Sequence, residues 1–399
     1  WKGRRRKANR ERMRMMEVYL DNSATTRCRP QVRDVVVKTM MEDYGNPSSM
    51  HKKGVEAEQY VKQAAREIAR TLKVDPKEIY FTSGGTESNN WALIGTALAN
   101  QRRGLHIVTT RIEHPAVSAP AQFLERQGFS VTWLDVDKNG RVSPEAVEEA
   151  VGPETILVSV MYVNNEIGAV EPVEEIGRRI KEKNPGTYFH VDAIQAYGKY
   201  LIRPRKMKID LLSASGHKIH GPKGTGFLYA GQQVKLFPYI YGGGQQQGMR
   251  SGTDNVPGAA GLGEAARLAY GDLDEAVSRM RELKNYFVQE LGAMEQVTVH
   301  GLTGEDSAPH IVSASFAGVR SEVLLHTLED RGIYVSAGSA CSTHKKNQSP
   351  TLTAIGLPAA LRESAVRFSF SDETTREELD YTLTVLREVL PMLRRYARK

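Results

Sequence analysis

The amino-acid sequence predicts an α/β protein in which helices cover a largely parallel sheet, followed by a smaller α+β domain. Short apolar, strand-like runs alternate with longer runs of helical spacing as far as Ala230. A glycine-rich interruption, YGGGQQQGMRSGT at 241–253, ends this alternation. Beyond it, a long helical stretch is followed by strand, helix, strand, strand and helix, which is typical of a separate, smaller domain.

The strand-like runs of the first part are short and mostly apolar. In order, they are Glu17–Leu20, Glu78–Thr82, His106–Thr109, Val131–Leu134, Thr155–Val163, Tyr188–Val191, Asp210–Ser213 and Gly224–Ala230. Helical spacing lies between most of them and is clear in two runs, Val32–Met41 and Gly54–Leu72. In the second of these runs, the apolar residues fall near one face of the predicted helix.

The second part predicts one long helix from about Pro257 to Met294. The shorter elements that follow are His310–Phe316, Ser321–Asp330, Ile333–Val335, Val366–Phe370 and Thr375–Arg394. We therefore expect three regions: a basic extension at 1–15 that is disordered, a large domain at 16–256, and the connecting helix with a small domain at 257–399. The segment 16–30 is expected to pack on the small domain.

Composition excludes several classes of protein. Of the 399 residues, 40% are hydrophobic and 25% are charged, as in ordinary globular proteins. No apolar run approaches the roughly 18–20 residues that span a bilayer. The two cysteines exclude a disulfide framework and a cysteine-rich metal site, and they favour a reducing, cytoplasmic location.

The net charge of +7 comes from one end of the chain. Residues 1–14 contain eight Lys or Arg and one Glu, which leaves 46 basic and 46 acidic residues in the remainder. The fold therefore carries no overall positive field of the kind that attracts nucleic acid. The tail has no apolar core of a secretory signal, and it is interpreted chiefly as sequence upstream of Met15 and Met16.

The first candidate site is the segment TSGGTESNN at 82–90, where a strand ends and a helix begins. Gly84 and Gly85 allow tight backbone curvature, and the N–H groups at a helix start attract an anion such as a phosphate. Thr86 adds a hydroxyl donor. The spacing matches neither a P-loop nor GxGxxG, and a capped helix explains this motif equally well.

Two further segments each carry one residue suited to chemistry. Asp192 follows a strand within HVDAIQ (190–195), where open α/β sheets build their sites, although a solvated turn carboxylate is the commoner arrangement. Lys218 lies within SASGHKIHGPKG (213–224), among small residues and beside His217. It is a candidate Schiff-base amine, although a surface lysine is more common in such a loop.

Together, and in this order, the three segments match what pyridoxal 5'-phosphate needs. A phosphate cup anchors the cofactor, a carboxylate pairs with its pyridinium nitrogen, and a lysine forms an imine with its aldehyde. The carboxylate keeps that nitrogen protonated, so the ring can accept electrons from a substrate carbanion. The sequence therefore predicts pyridoxal 5'-phosphate as the cofactor.

These segments and several others resemble the cysteine desulfurases, in the class V aminotransferase group of fold-type I pyridoxal-phosphate enzymes. The resemblance runs from Val18 to about Leu390. The other segments that carry it are YLDNSATT (19–26), YGNPSSMH (44–51), EHPAV (113–117), YVNNEIGA (162–169), GGGQQQGMRSGT (242–253), GSACS (338–342) and VRFSF (366–370). It implies a mostly parallel seven-stranded sheet and the conversion of L-cysteine to L-alanine.

The resemblance also implies roles for the matching residues. Lys218 would hold the cofactor covalently, Asp192 would pair with the pyridinium, and His114 would stack on the ring and shuttle protons. The residues around the phosphate would be Gly85, Thr86, Ser215, His217 and, from the second subunit of a homodimer, Thr253. The remaining roles would be hydrogen bonds near O3′ from Asn165 and Gln195, a bidentate contact of Arg367 with the substrate carboxylate, and a place near the substrate for Asn46.

Cys341 is the residue that would select the reaction. It lies among small residues and is followed by His344, Lys345 and Lys346, a pattern that predicts a mobile loop and favours the nucleophilic thiolate. A buried structural cysteine is the alternative. The resemblance implies that Cys341 takes the sulfur as a persulfide, whereas Cys28 has no matching role and is expected to be structural.

Other functions stay open on the sequence alone. A selenocysteine lyase or a small-amino-acid aminotransferase of the same fold shares the motifs, although the position of Cys341 argues against both. Nucleic-acid binding rests only on residues 1–14, and an inactive scaffold is disfavoured because the key residues are present. The basic run after Cys341 departs from the small, polar and acidic residues usual in the family. The sulfur acceptor, an iron–sulfur scaffold or a tRNA-thiolating enzyme, is therefore left open; no membrane, metal or direct nucleic-acid partner is expected.

Overall fold

The computed structural model describes residues 16–337 and 349–397. Contacts between backbone positions divide the chain into two compact units. The larger comprises Thr25–Asn165 and Ala169–Val277, and the smaller comprises the described parts of Trp1–Ala24, Glu166–Gly168 and Ser278–Lys399. The predicted basic extension at 1–15 lies outside the described residues. Within the described residues, no helix is long and apolar enough to cross a membrane.

The elements follow in chain order. The strands are β1 (Val18–Tyr19), β2 (Ile79–Thr82), β3 (His106–Thr110), β4 (Ser130–Leu134), β5 (Thr155–Met161), β6 (Tyr188–Asp192), β7 (Leu211–Ser215), β8 (Gly226–Ala230), β9 (Val297–His300), β10 (Ile311–Phe316), β11 (Ile333–Tyr334), β12 (Ser336–Ala337) and β13 (Ala365–Ser369). The helices are α1 (Pro30–Met41), α2 (Lys52–Leu72), α3 (Gly85–Asn90), α4 (Thr96–Asn100), α5 (Pro115–Arg126), α6 (Pro144–Ala150), α7 (Val173–Lys183), α8 (Val256–Ala269), α9 (Leu273–Gly292), α10 (Ser321–Glu329), α11 (Pro350–Ala354), α12 (Ala359–Arg362) and α13 (Arg376–Ala397).

The larger unit is built on a seven-stranded sheet in the order β2-β8-β7-β6-β5-β3-β4. Strand β8 is antiparallel to both of its neighbours, β2 and β7, and the other four pairs are parallel, so the predicted α/β class and mostly parallel sheet are confirmed. Every residue of β5, β6, β7 and β8 is buried, because helices cover both faces. In the register of the sheet, the last residues of β5 and β6, Met161 and Asp192, are paired, and Asp192 is paired with Ser213 in the middle of β7.

Small residues let the helices of this unit approach closely. A Cβ on Gly263 of α8 would lie 2.6 Å from the Cα of Ala64 of α2. The predicted single helix from Pro257 to Met294 is wrong, because α8 and α9 are separate. Gly271 disfavours helix, and the new helix starts where the carbonyl of Asp272 accepts the first hydrogen bond, from Ala276.

The smaller unit contains an antiparallel sheet in the order β12-β13-β10-β9 and a parallel pair, β1 with β11. Its core is aromatic, with Phe287 and Phe316 packed against Phe368. Strands β9 and β12 were not anticipated, because they are short and β9 is only partly buried.

The boundary between the two units falls inside α9, between residues 277 and 278, whereas the predicted boundary lies between 256 and 257. Helix α8 stays with the larger unit because it packs along α1 and α2. The first residues after the tail belong to the smaller unit as far as Ala24, and the chain belongs to the larger unit from Thr25.

Candidate active site

A buried carboxylate marks the centre of the sheet's carboxyl edge. Asp192 ends β6 and is 4% exposed. Its Oδ1 accepts a hydrogen bond from the backbone N–H of Ile194 at 3.0 Å, and its Oδ2 accepts one from Asn89 Nδ2 at 2.7 Å. Burial raises the pKa of Asp192, while these two donors, the charge of Lys218 and any protonation of His114 act in the opposite direction. The carboxylate is thus fixed in orientation, and a cationic partner would stabilise its buried negative charge.

The predicted phosphate cup adjoins this carboxylate. Gly84 has φ +148°, a conformation open only to glycine, and a Cβ on Gly226 would lie 2.7 Å from the Cα of Gly84. A Cβ on Gly85 would overlap the side chain of Ile194. Helix α3 starts at Gly85 and continues through a π-helical turn at Trp91–Gly95 into α4. The start of this helical run therefore lies against the turn that follows Asp192.

Lys218 is presented by a short 3₁₀ turn, Gly216–Lys218, directly after β7. Thr26 fastens this turn: its N–H and its hydroxyl both donate to the carbonyl of His217 at 2.9 Å, and the hydroxyl accepts from the N–H of His220 at 2.8 Å. Lys199 Nζ donates to the carbonyl of Lys218 at 3.0 Å. Thr26 lies in the segment YLDNSATT but was not predicted to have a role.

His114 faces the same group of charges. It is the N-cap of α5, and its Nδ1 accepts the backbone N–H of Ala116 at 3.0 Å. Burial and the charge of Lys218 lower the pKa of His114, whereas Asp192 opposes this change. The ring is therefore neutral near pH 7, and its proton lies on Nε2 because Nδ1 is an acceptor.

Two further residues of the predicted phosphate site lie at the end of β7. Ser215 is buried there, and His217 follows in the 3₁₀ turn with its Nδ1 at 3.2 Å from Thr25 Oγ1. Burial lowers the pKa of His217 to about 4, with Lys218 and Lys223 adding to the effect. A neutral ring at this position can donate one hydrogen bond to a phosphate without competing for the proton of Lys218.

The other predicted residues of the larger unit are spread over four loops and the first turn of α3. Gln195 is buried in the turn after β6, and Asn165 is half-buried after β5. Thr86, Thr253 and Asn46 are exposed. Asn46 closes its own turn, since its Oδ1 accepts the N–H of Ser48 at 3.0 Å.

In the smaller unit, Arg367 lies in the middle of β13. Its guanidinium donates to Asp21 Oδ1 at 2.9 Å, and Asp21 forms a parallel bridge with Ser369 on the same strand. Asp21 was not predicted as a site residue. The sequence signal that could have identified it is an acidic residue among the small residues of YLDNSATT.

Cys341 lies outside the described residues. The chain resumes at Ser349, which caps α11 and donates its hydroxyl to Glu166.

Three observations in the larger unit fit the binding of pyridoxal 5'-phosphate. A fully buried carboxylate is oriented by two donors, a helical run begins at glycines that leave no room for side chains, and the charge of Lys218 acts on both Asp192 and His114. Sequence reasoning missed Asn89, although its place one helical turn after Gly85 puts it on the same side of α3. A carboxylate, an imidazole and an amine converging beside a phosphate cup can hold an anionic, ring-nitrogen cofactor and move protons next to it.

Comparison with known proteins agrees with this arrangement. The profile of the family "Aminotransferase class-V" matches residues 18–382. The chain is 41% identical over 379 residues to "Cysteine desulfurase IscS" of Dictyoglomus turgidum, covering 95% of each chain. It is 45% identical over 367 residues to "Putative cysteine desulfurase IscS 1" of Bacillus subtilis, covering 92% of this chain and 96% of the relative. A solved structure titled "NIFS-LIKE PROTEIN" superposes with a TM-score of 0.90 at 39% identity, covering 95% of this chain and 100% of the other.

Proposed function

Since the chain belongs to the class V aminotransferase family, we propose that it is a pyridoxal-phosphate-dependent cysteine desulfurase that converts L-cysteine to L-alanine. The observation that carries the proposal is the convergence of Asp192, His114 and Lys218 at one edge of the sheet. A selenocysteine lyase or an aminotransferase of the same fold is not favoured, because the relatives at 41% and 45% identity are named cysteine desulfurase and putative cysteine desulfurase.

The chain's own groups divide the work of binding and proton transfer. Asp192, held by Ile194 and Asn89, would stabilise a proton on the pyridine nitrogen of pyridoxal phosphate. The chemistry that the cofactor would supply when bound is a ring that withdraws electrons from the substrate. Lys218 provides the amine that holds the cofactor and that moves a proton to and from the substrate. His114 keeps a neutral ring with its proton on Nε2, so it adds no charge beside that amine.

The phosphate and the substrate carboxylate are assigned to different groups. Gly85 and Thr86 at the start of α3, with Ser215 and His217 at the end of β7, are assigned to the phosphate, which is favoured by the positive end of the helix. Arg367 is assigned to the substrate carboxylate, because a guanidinium can bind it with two parallel hydrogen bonds. Asn165 and Gln195 are assigned to the phenolic oxygen of the ring, and Asn46 to the surroundings of the substrate.

Cys341 is assigned the transfer of sulfur. The C–S bond of L-cysteine breaks, an S–S bond forms to the sulfur of Cys341, and the thiol proton passes to the carbon that becomes the methyl group of L-alanine. The products are L-alanine and a persulfide on Cys341. A thiol-dependent cycle of this kind suits a reducing compartment, and we assign the protein to the cytoplasm.

The assembly and the acceptor are further parts of the proposal. We assign the protein as a homodimer in which the exposed Thr253 completes the phosphate site of the second subunit. The persulfide passes to an iron–sulfur assembly scaffold, a role that the name IscS of the relatives supports, or to a tRNA-thiolating enzyme.

The matched pair Cys341→Ser and Cys28→Ser tests the proposal. We expect Cys341→Ser to retain the absorbance of the bound cofactor but to lose sulfide release from L-cysteine in the presence of a thiol reductant. Cys28 is exposed and burial of part of its side chain raises its thiol pKa, so Cys28→Ser should keep both. A third variant, Lys218→Ala, should lose the chromophore of the purified protein. A colourless wild-type protein, or full sulfide release by Cys341→Ser, would refute the assignment.

A further inference from the structure

A second buried acid lies beside the site and has no part in the reaction described above. Glu113 is 6% exposed and directly precedes His114 in the turn between β3 and α5. Its Oε1 accepts two hydrogen bonds, from the backbone N–H of Met161 at 2.9 Å and from Thr110 Oγ1 at 2.8 Å. The side chain thus ties the turn that carries His114 to the end of strand β5.

This tie links His114 to Asp192 through the sheet. Met161, whose N–H donates to Glu113, is the register partner of Asp192 in the parallel pair of β5 with β6. The same turn is held a second time, because Asn164 Nδ2 donates to the carbonyl of Ile112 at 3.1 Å. The imidazole and the carboxylate therefore sit on two backbone segments whose spacing depends on the Glu113 carboxyl group.

The surroundings of Glu113 disfavour a negative charge. Its Oε2 is buried and has no hydrogen-bond partner in the described part of the chain, so a carboxylate here would be poorly solvated. The titratable groups that act on it are other acids, Asp192 and Glu171. Burial raises the pKa of Glu113 well above its usual value, and these two acids raise it further. The hydrogen bonds from Met161 and Thr110 act in the opposite direction.

We propose that Glu113 is a positioning residue that acts as the neutral acid, fixing His114 beside Asp192 and leaving the negative charge of this edge to Asp192 alone. The proton resides on Oε2, since Oε1 accepts both hydrogen bonds. The proposal rests on the proposed function only for the roles of His114 and Asp192. The protonation of Glu113 and its link between the turn before α5 and the end of β5 do not depend on those two roles.

Infrared spectroscopy of the full-length protein tests the protonation state. Glu171 offers a matched control: it is also buried, its Oε2 accepts the N–H of Val142 at 2.9 Å, its Oε1 has no hydrogen-bond partner among the described residues, and burial raises its pKa to about 8. At pH 7, Glu113→Gln should remove one C=O stretching band of a protonated carboxylic acid that shifts in D₂O. Glu171→Gln should remove a different band. If Glu113→Gln instead removes a carboxylate band, the neutral acid is refuted.

The pH dependence of the bound cofactor's absorbance tests the positioning role. Glu113→Gln keeps an acceptor for Met161 and Thr110 and carries no charge, so it should match wild type in this titration and in kcat. Glu113→Leu removes the acceptor and should shift the titration and lower kcat at least tenfold with little change in KM. Glu171→Leu should change neither.

Each outcome decides the proposal. Equal behaviour of Glu113→Leu and Glu171→Leu would overturn the positioning role, and an altered titration in Glu113→Gln would overturn neutrality even if the leucine variant fails to fold. A wild-type protein without a bound chromophore would refute the proposed function instead, while the infrared result on Glu113 would stand.

Discussion

The hydrogen bond from Asn89 to Asp192 gives a quantitative prediction about cofactor affinity. Asn89 is fully buried, and its Nδ2 lies 2.7 Å from Asp192 Oδ2. Leucine has the same number and branching of side-chain heavy atoms as asparagine but no donor, so Asn89→Leu removes this hydrogen bond. The substitution also adds the bulk of two methyl groups, and the control variant described below adds the same bulk. Among the described residues, the N–H of Ile194 is then the one remaining hydrogen-bond donor to the Asp192 side chain. Its carboxylate becomes less stable and less well oriented toward a protonated ring nitrogen.

The loss can be estimated from the character of the bond. A hydrogen bond to a charged group contributes about 1.5–3 kcal/mol. Since about 1.4 kcal/mol changes an equilibrium constant tenfold, the affinity for pyridoxal phosphate should fall roughly 10- to 150-fold. The upper part of this range is expected, because both partners are shielded from water and the donor is not replaced.

The assay is a titration of the cofactor-depleted protein with pyridoxal phosphate, followed by absorbance. Asn100→Leu is the matched control, because Asn100 is equally buried and its Nδ2 donates to the carbonyls of Thr96 and Lys235. This control should lower the free energy of unfolding but leave the cofactor affinity within about twofold of wild type. Similar affinity losses in both variants, or none in Asn89→Leu, would refute the reasoning.

Two other predictions concern the substrate and the acid stability of the sheet. Arg367→Lys keeps the charge but not the paired donors, so the KM for L-cysteine should rise about tenfold or more while the cofactor absorbance stays unchanged. The control Arg387→Lys, at a surface ion pair with Glu290, should alter neither quantity. An unchanged KM in Arg367→Lys would show that Arg367 does not bind the substrate. His190 is fully buried between Ser159 and Ser213, and burial lowers its pKa to about 3. Because His190 in the unfolded chain takes up a proton near pH 6.5, the free energy of unfolding should fall as the pH drops from about 6.5 to about 3. His190→Gln should lessen that fall when the free energy of unfolding is measured by urea titration at each pH. If the free energies of wild type and variant change equally with pH, the low pKa of His190 is contradicted.

Much of the architecture could be predicted because its signals are local. The buried strands of the parallel sheet are apolar runs between amphipathic helices, and the structure reproduces β5 and α2 within a few residues of the predicted bounds. The order of the cup, the carboxylate and the lysine also indicated the cofactor. Local signals failed where propensity is weak, as in β9, or where one glycine interrupts a helical pattern, as at Gly271.

The supporting residues could not be found from the sequence. Asn89 is 103 positions from Asp192, and Glu113 reaches Met161 from 48 positions away. Asn89 and Glu113 are ordinary polar residues by local pattern, and Asp21 gains meaning only beside Arg367. Each becomes significant only when the register of the strands places it next to its partner.

The amino-acid sequence by itself determined the succession of strands and helices, the mostly parallel sheet, and the residue types able to hold a phosphate, a pyridinium and an aldehyde. Only the tertiary structure decided which buried groups orient Asp192, which turn carries Lys218 and which acid stands behind His114. The physical reason is that apolar periodicity is a property of consecutive residues. The protonation and orientation of a buried group instead depend on neighbours that only folding brings together.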